Sequence, residues 1–241
     1  MTERISRFTV PDLADVPEDV RNRILAVQEK AGFVPNVFLM LAHRPAEFRA
    51  FFDYHDALME KDVGLTKAER EMIVVATSAA GQCLYCVIAH GAVLRIRARN
   101  PRIADQLAAN YRKAEITPRQ RAMLDFAVKL STRGGEIEDA DLQALRAHGF
   151  DDEAIWDIGA ITAFFSMSNR LVHLTGTPPN EPFYLMGRVP KGGGVRREAS
   201  CMRCERAGSE PSWDFAQRGA IAYKRIAPSP RPGIECGGRP A

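Results

Sequence analysis

The chain has 241 residues, 46% of them apolar and 26% charged, with 5 Cys and a mean hydropathy of −0.22. These values fit a globular chain with enough apolar material for a hydrophobic core, and they exclude collagen, a disulfide-dense scaffold and wholesale disorder. The net charge of +3 is unevenly spread: residues 188–241 carry 11 Lys and Arg against 5 Asp and Glu, leaving +6 there and −3 over the first 187. No basic body exists to hold nucleic acid, and the positive charge of the tail is scattered among Gly and Pro.

The N-terminus, Met1-Thr-Glu-Arg-Ile-Ser-Arg-Phe, has neither the basic start nor the apolar run of a secretory signal, so a cytoplasmic location is expected. The longest uncharged run, residues 72–89, is long enough to be weighed as a membrane span. Thr77, Ser78, Gly81, Gln82 and two cysteines interrupt it, and the Gly-Gln pair predicts a break between two buried helices rather than a span.

Through residue 187 the apolar residues recur with a period near 3.6 and almost nowhere alternate, which predicts an all-α fold. Helices are expected over 17–32, with Pro in the opening turn and Gly at the end, over 35–42, and over 45–60. The third carries Phe48, Phe51, Phe52, His55, Leu58 and Met59 on one stripe. Thr66-Lys-Ala-Glu69 has the spacing of a capping box and opens a helix to about residue 81. The next runs from about 83 to 97, where Arg95, Arg97 and Arg99 suit the negative end of its dipole. Thr117-Pro118 opens another to about 133, and helices over 139–148 and 151–175 complete the set. The last is apolar on most sides and is expected to be a central buried helix. Leu65-Thr-Lys-Ala-Glu-Arg70 echoes Ile116-Thr-Pro-Arg-Gln-Arg121, a similarity that two like helix caps explain as well as a duplication does.

The chemistry concentrates in Cys83-Leu-Tyr-Cys86-Val-Ile-Ala-His90. At about 100° per residue, Cys83, Cys86 and His90 fall within one sector of about 60° on a helix. Cys83 follows the predicted break, so it lies at a helix N-terminus, where unpaired amides and the dipole favour a thiolate. His90 sits one turn beyond Cys86 and can take its proton, and cysteines two residues apart can close a disulfide. These are the parts of a reversible dithiol redox centre. Glu71 shares a helix face with Val74, Val75 and Ser78, while Lys67 and Arg70 are expected to turn outward. A carboxylate on such a face wants a partner, and His90 is one if the two helices pack antiparallel across Gly81-Gln82. A first-turn acid stabilised by the helix dipole is the plainer reading of Glu71.

Structural zinc would need a second pair of ligands, which the first 187 residues do not supply, so no metal and no cofactor are expected. His55 reads as a core histidine, His43 and His148 as surface or helix-end residues, and His173 as a C-terminal dipole partner. Tyr85 either lines the site or simply packs. Cys201-Met-Arg-Cys204 and Cys236 in the tail lack a fourth local ligand and read as incidental.

Glu71, twelve residues before Cys83-x-x-Cys86-x-x-x-His90-Gly91, within Arg70-Glu-Met-Ile-Val-Val-Ala76 and Ser78-Ala-Ala-Gly-Gln-Cys83, resembles the AhpD-like alkylhydroperoxidases of the carboxymuconolactone decarboxylase superfamily. The similarity extends from about residue 17, through Gly32-Phe-Val-Pro-Asn36, to Pro179-Asn180-Glu181 and Met186-Gly-Arg188. The resemblance implies an AhpD-like helical bundle over 1–188, assembled as a homo-oligomer, a trimer or hexamer. It also implies reduction of organic hydroperoxides or hydrogen peroxide at the expense of an external dithiol, dihydrolipoyl or thioredoxin-type. Carried over by position, Cys86 is implied as the attacking cysteine, Cys83 as the resolving and more exposed one, and His90 with Glu71 as the proton relay. Helix-dipole reasoning alone favours Cys83 as the more acidic thiol. Some members carry a second His between the cysteines, where this chain has Tyr85. The alternatives are a lyase of the decarboxylase type, which does not need the cysteine pair, and a non-enzymatic thiol sensor.

Residues 188–241 contain no Leu and only six Ile, Val or Phe, too little apolar surface to offset an ordering entropy of roughly 1 to 2 kcal/mol per residue. A disordered tail over 189–241 is expected, and it is foreign to the resembled family. Deletion of residues 192–241 is therefore expected to leave fold and activity intact. A large drop in melting temperature on deletion would contradict this.

Overall fold

The described residues of the computed structural model, 4–61 and 63–188, form ten α-helices and two short 3₁₀ turns, with no strand among them. In chain order the helices are α1 (Glu18–Ala31), α2 (Asn36–Leu41), α3 (Pro45–Met59), α4 (Lys67–Ala80), α5 (Leu84–Arg97), α6 (Ile103–Asn110), α7 (Pro118–Arg133), α8 (Asp139–Ala147), α9 (Asp152–Thr175) and α10 (Pro182–Leu185). The all-α expectation holds. The predicted tail, with Cys201, Cys204 and Cys236, lies outside the described residues.

The helix ends follow local chemistry. Both echoed segments are capping boxes: Thr66 accepts from the Glu69 amide while Glu69 reaches back to the Thr66 amide, and Thr117 and Gln120 repeat the exchange. Gly32 closes α1 at φ +83°, a left-handed conformation that glycine adopts without a Cβ penalty. Two helices escaped the sequence. α6 is only eight residues long and opens at Arg102 without a side-chain cap, and α10 is a single turn. Neither carries a start signal strong enough to read.

The centre of the bundle is α4, with α9 packed beside it. It packs against α3, α5, α6, α7 and α9, and every residue from Glu69 to Ser78 is buried. α9 leaves Trp156, Met167 and Leu174 exposed. Three consecutive charged residues open the buried stretch, and the helical turn of about 100° per residue sends each to a different neighbour. Glu69 meets Arg119 of α7 at 2.7 Å, Arg70 meets Asp157 of α9 at 2.9 Å, and Glu71 meets His90 and Arg97 of α5 at 2.8 and 3.2 Å.

Arg70 departs from its predicted outward orientation. It is fully buried, donates to the carbonyls of Leu58 and Val63, and shares Asp157 with Lys61, which lies 2.9 Å from the other carboxylate oxygen. A charge so deep is tolerated only because it is paired and hydrogen-bonded.

Two apolar clusters flank this centre. One joins α4 to α6, α7, α8 and α9, and the other joins α1, α2 and α3 to the start of α5. Phe51 of α3 packs against both, and Cys83, Tyr85, Cys86 and Ala89 belong to the second. The uncharged run breaks at Gly81 as expected, and no helix among the described residues is long and apolar enough to cross a membrane.

Removing Asp157 strands Arg70 without its counter-charge. Asp157→Ala is expected to lower unfolding stability by about 3–5 kcal/mol in urea titrations. The pair replacement Arg70→Met with Asp157→Leu should recover most of that loss; a single variant as stable as the parent would refute the account.

Candidate active site

α4 and α5 form a helical hairpin across Gly81 and Gln82. The Gly81 amide bonds to the Thr77 carbonyl and the Cys83 amide to the Ser78 carbonyl, both at 2.9 Å, which satisfies the last carbonyls of α4. A Cβ at Gly81 would lie 3.1 Å from the Asn169 amide nitrogen, and Gln82 takes a left-handed φ of +54°, uncommon for a residue with a Cβ. This tight turn makes Cys83 the N-cap of α5 and aligns Glu71 with His90.

His90 Nδ1 lies 2.8 Å from Glu71 Oε2. A carboxylate only accepts, so the imidazole carries a proton at Nδ1, and in the neutral ring Nε2 is the acceptor. The other Glu71 oxygen faces Arg97 at 3.2 Å, and Arg97 reaches Glu60 at 2.7 Å. Arg97 is thus tied to the site rather than serving only the dipole of α5. Arg95 also turns inward, donating to the carbonyls of Phe183 and Met186 and fastening α10. Phe165 packs edge-on against His90, with ring centroids 4.7 Å apart.

Both cysteines are free thiols, and both are buried, Cys83 at 0% and Cys86 at 2% exposure. Cys83 is therefore not the more exposed of the two. They share a proton. The hydrogen bond from the Cys86 thiol is the main influence lowering Cys83 from an ordinary 9.0 to about 7, against the opposing effect of burial. The α5 amides of Cys86 and Tyr85 and the charge of His173 also favour the anion, without a capping hydrogen bond being closed. Cys86 is pushed well above 9.0 by that same bond to Cys83, by burial and by the neighbouring charge, while the hydroxyls of Ser168 and Ser78 pull it down. The pair thus releases its first proton easily and its second with difficulty.

A cavity of about 460 Å³ opens onto Cys86 and His90 but is not lined by Cys83. Phe165 and Ser168 of α9, Phe52 and His55 of α3, and Phe38 and Tyr85 complete its inner wall. The Tyr85 hydroxyl accepts from the Val37 amide at 3.2 Å, so Tyr85 both packs and lines. His55 is not a satisfied core histidine: its side chain is 25% exposed and borders the cavity. His173 bonds through Nε2 to the Gly81 carbonyl at 3.0 Å, which brings it to the turn beside Cys83.

Cys83 and Cys86 thus sit at the turn end of the α4–α5 hairpin and the Glu71–His90 pair farther along it, with one link of the expected relay differing. The hydrogen bond of His90 goes to Glu71, and the partners of the Cys86 sulfur are Cys83, Ser168 and Ser78. Sequence reasoning missed Ser168 and Arg97. Ser166-Met-Ser-Asn169 interrupts an apolar helix, and its buried Ser168 and Asn169 were the available signal. Among the described residues no group of three or more His, Cys, Asp or Glu is arranged to hold a metal ion.

The carboxymuconolactone decarboxylase family model matches residues 45–109, which span α3 to most of α6 and contain the whole constellation. Among solved structures, the alkylhydroperoxidase AhpD core protein from Ralstonia eutropha JMP134, a peroxidase-related protein, shares 68% identity. That match covers 78% of this chain and 98% of the other, with a TM-score of 0.76. This chain belongs to the AhpD-like branch of the carboxymuconolactone decarboxylase superfamily. A peroxidase-related protein from Silicibacter sp. TM1040 matches the AhpD-like chain at 40% identity over 77% of this chain and 97% of that one, with a TM-score of 0.73. The debrominase Bmp8 with 2,3,4-tribromopyrrole bound, at 19% identity over 75% of this chain and 97% of that one, shares the fold alone, with a TM-score of 0.63. No curated protein matches the chain.

The shared proton sets a pH dependence. Cys83 is anionic above about 7 and protonated below it, so ultraviolet thiolate absorbance should rise through that pH. Removing the hydrogen-bond donor in Cys86→Ala should move the midpoint upward, toward 9.0. A midpoint already at 9.0 in the parent would show that the pair does not share its proton as described.

Proposed function

We propose that this chain is a thiol peroxidase that reduces organic hydroperoxides through the Cys83–Cys86 pair. The observation that supports this most directly is that Cys86, hydrogen-bonded to a readily ionised Cys83, borders an apolar cavity beside the Glu71-held imidazole of His90. Cys86 is the attacking residue. Cavity access outweighs the greater acidity of Cys83, because a thiolate that a substrate cannot reach does no chemistry.

Cys86 passes its proton to the Cys83 sulfur, to which it is already hydrogen-bonded. The Cys86 thiolate then attacks the terminal peroxide oxygen. A sulfur–oxygen bond forms and the oxygen–oxygen bond breaks. Sulfur gives up two electrons and becomes a sulfenic acid, and the remainder leaves as an alkoxide that is protonated to the alcohol. His90, held by Glu71 with Nε2 as an acceptor, orients the hydroperoxide by accepting its O–H. Cys83 next attacks the Cys86 sulfur, hydroxide departs with the Cys83 proton as water, and a disulfide closes. An external dithiol, dihydrolipoyl or thioredoxin-type, restores both thiols by exchange. Its approach is from the turn, where Gln82 and Leu84 on either side of Cys83 are exposed.

The cavity argues for organic hydroperoxides over hydrogen peroxide. Its volume suits a small organic molecule, and Phe38, Phe52, Phe165 and Phe183 offer apolar contact that hydrogen peroxide cannot use.

The test is consumption of cumene hydroperoxide with reduced lipoamide or thioredoxin as donor. Cys86→Ser should abolish turnover, and Glu71→Gln should slow it by about 10² or more through loss of His90 positioning. Mass spectrometry of peroxide-treated protein should find Cys83 joined to Cys86. Two free thiols after treatment, or undiminished turnover in Cys86→Ser, would remove the basis for the assignment.

A further inference from the structure

We propose that His55 is a further catalytic residue, the proton donor to the leaving oxygen of the hydroperoxide. The assignment rests on the peroxidase reading above. It starts from a chemical need that the Cys83, Cys86, His90 and Glu71 constellation leaves open. Breaking the oxygen–oxygen bond of an alkyl hydroperoxide expels an alkoxide, a poor leaving group unless it is protonated as it departs. His90 does not meet that need while its Nε2 accepts the O–H.

His55 borders the same cavity from α3, across from α5. Its anchoring repeats that of His90. His55 Nδ1 lies 3.0 Å from Asp56 Oδ1, and the other Asp56 oxygen is 2.7 Å from Arg23. His90 Nδ1 is held by Glu71, whose other oxygen faces Arg97. Each side of the cavity thus carries an imidazole fixed by a carboxylate that an arginine holds in turn. In both, the second ring nitrogen has no protein partner among the described residues.

The two rings are 6.3 Å apart between centroids and tilted by 49°. That is too far for a nitrogen of one to bond a nitrogen of the other, and close enough for one oxygen atom to lie against both. Phe165 touches both rings, and Phe52 and Phe164 enclose His55 further. The other candidate donors fit less well. Ser168 is engaged with Cys86, and burial holds the Tyr85 hydroxyl well above its ordinary value, which makes it a weak acid. Arg23 is committed to Asp53 and Asp56, and Lys30 lies on the exposed side of α1. The cavity therefore supplies a second imidazole from α3.

In the completed step, the Cys86 thiolate forms the sulfur–oxygen bond to the terminal oxygen as the oxygen–oxygen bond breaks. Sulfur loses two electrons, the peroxide gains them, and His55 in its protonated form transfers its Nε2 proton to the alkoxide. The products are the Cys86 sulfenic acid and the alcohol, and His55 regains a proton from solvent through the cavity mouth.

The leaving group provides the test. A peracid expels a carboxylate, which needs no proton, whereas an alkyl hydroperoxide expels an alkoxide, which does. Rates of Cys86 oxidation are measured for the parent and for His55→Gln with tert-butyl hydroperoxide and with peracetic acid. The variant should lose about 10² or more on the hydroperoxide and only a few-fold on the peracid. Because the result is a ratio within one preparation, a fraction of misfolded variant cancels, and His55→Phe should give the same ratio. Equal losses on the two oxidants, or no loss on either, would overturn the assignment while leaving the peroxidase reading intact. A parent protein oxidised by neither reagent would overturn both.

Discussion

Three consecutive charges buried near the start of α4 constrain everything around them. Glu69, Arg70 and Glu71 point to α7, α9 and α5 in turn, each to a partner of opposite charge or to an imidazole. An apolar helix can rotate or slip against its neighbours at modest expense, because one methyl group replaces another. Here a shift of one residue would strand three charges at once, each in a region from which water is excluded. The register of α4 is fixed, and with it the alignment of Glu71 and His90. The site inherits its geometry from the bundle instead of from its own loop.

The same reasoning separates what was legible in the sequence from what was not. Helix starts at Thr66 and Thr117 were legible because capping boxes are local. The gathering of Cys83, Cys86 and His90 needed only the helical period. Glu71 required one condition, an antiparallel hairpin, and the short Gly81-Gln82 turn meets it. Arg70 was misread because a helix wheel shows which faces exist and not how many are covered, and α4 is covered on all of them. His55 was misread for the opposite reason: an apolar stripe marks a packed face, but not whether that face meets a neighbour or the edge of a cavity. Arg97 sat at the right place for a dipole partner, and only the folded chain reveals that a carboxylate lies within its reach.

The cysteine pair shows how two arguments that disagree can both describe the molecule. Helix-end electrostatics place the negative charge on Cys83, and the structure agrees, with Cys86 donating to it. The cavity nonetheless opens on Cys86. Charge and access are divided between two sulfurs joined by one hydrogen bond. Moving a single proton along that bond changes which sulfur carries the charge.

The wall of the cavity and the groups of the candidate site come largely from different stretches of the chain. Residues 71–90 hold the sulfurs, the imidazole at their side and its carboxylate, all rooted in the rigid central hairpin. The facing surface comes largely from residues 23–55, and the buried side chains of that stretch pack in the same apolar cluster as Cys83 and Cys86. Altered side chains on that N-terminal layer, His55 apart, therefore reshape the chamber while Glu71, Cys83, Cys86 and His90 stay as they are. An architecture split in this way lends itself to diversification, since the chamber can drift on one stretch of sequence without disturbing the sulfurs and the imidazole on another.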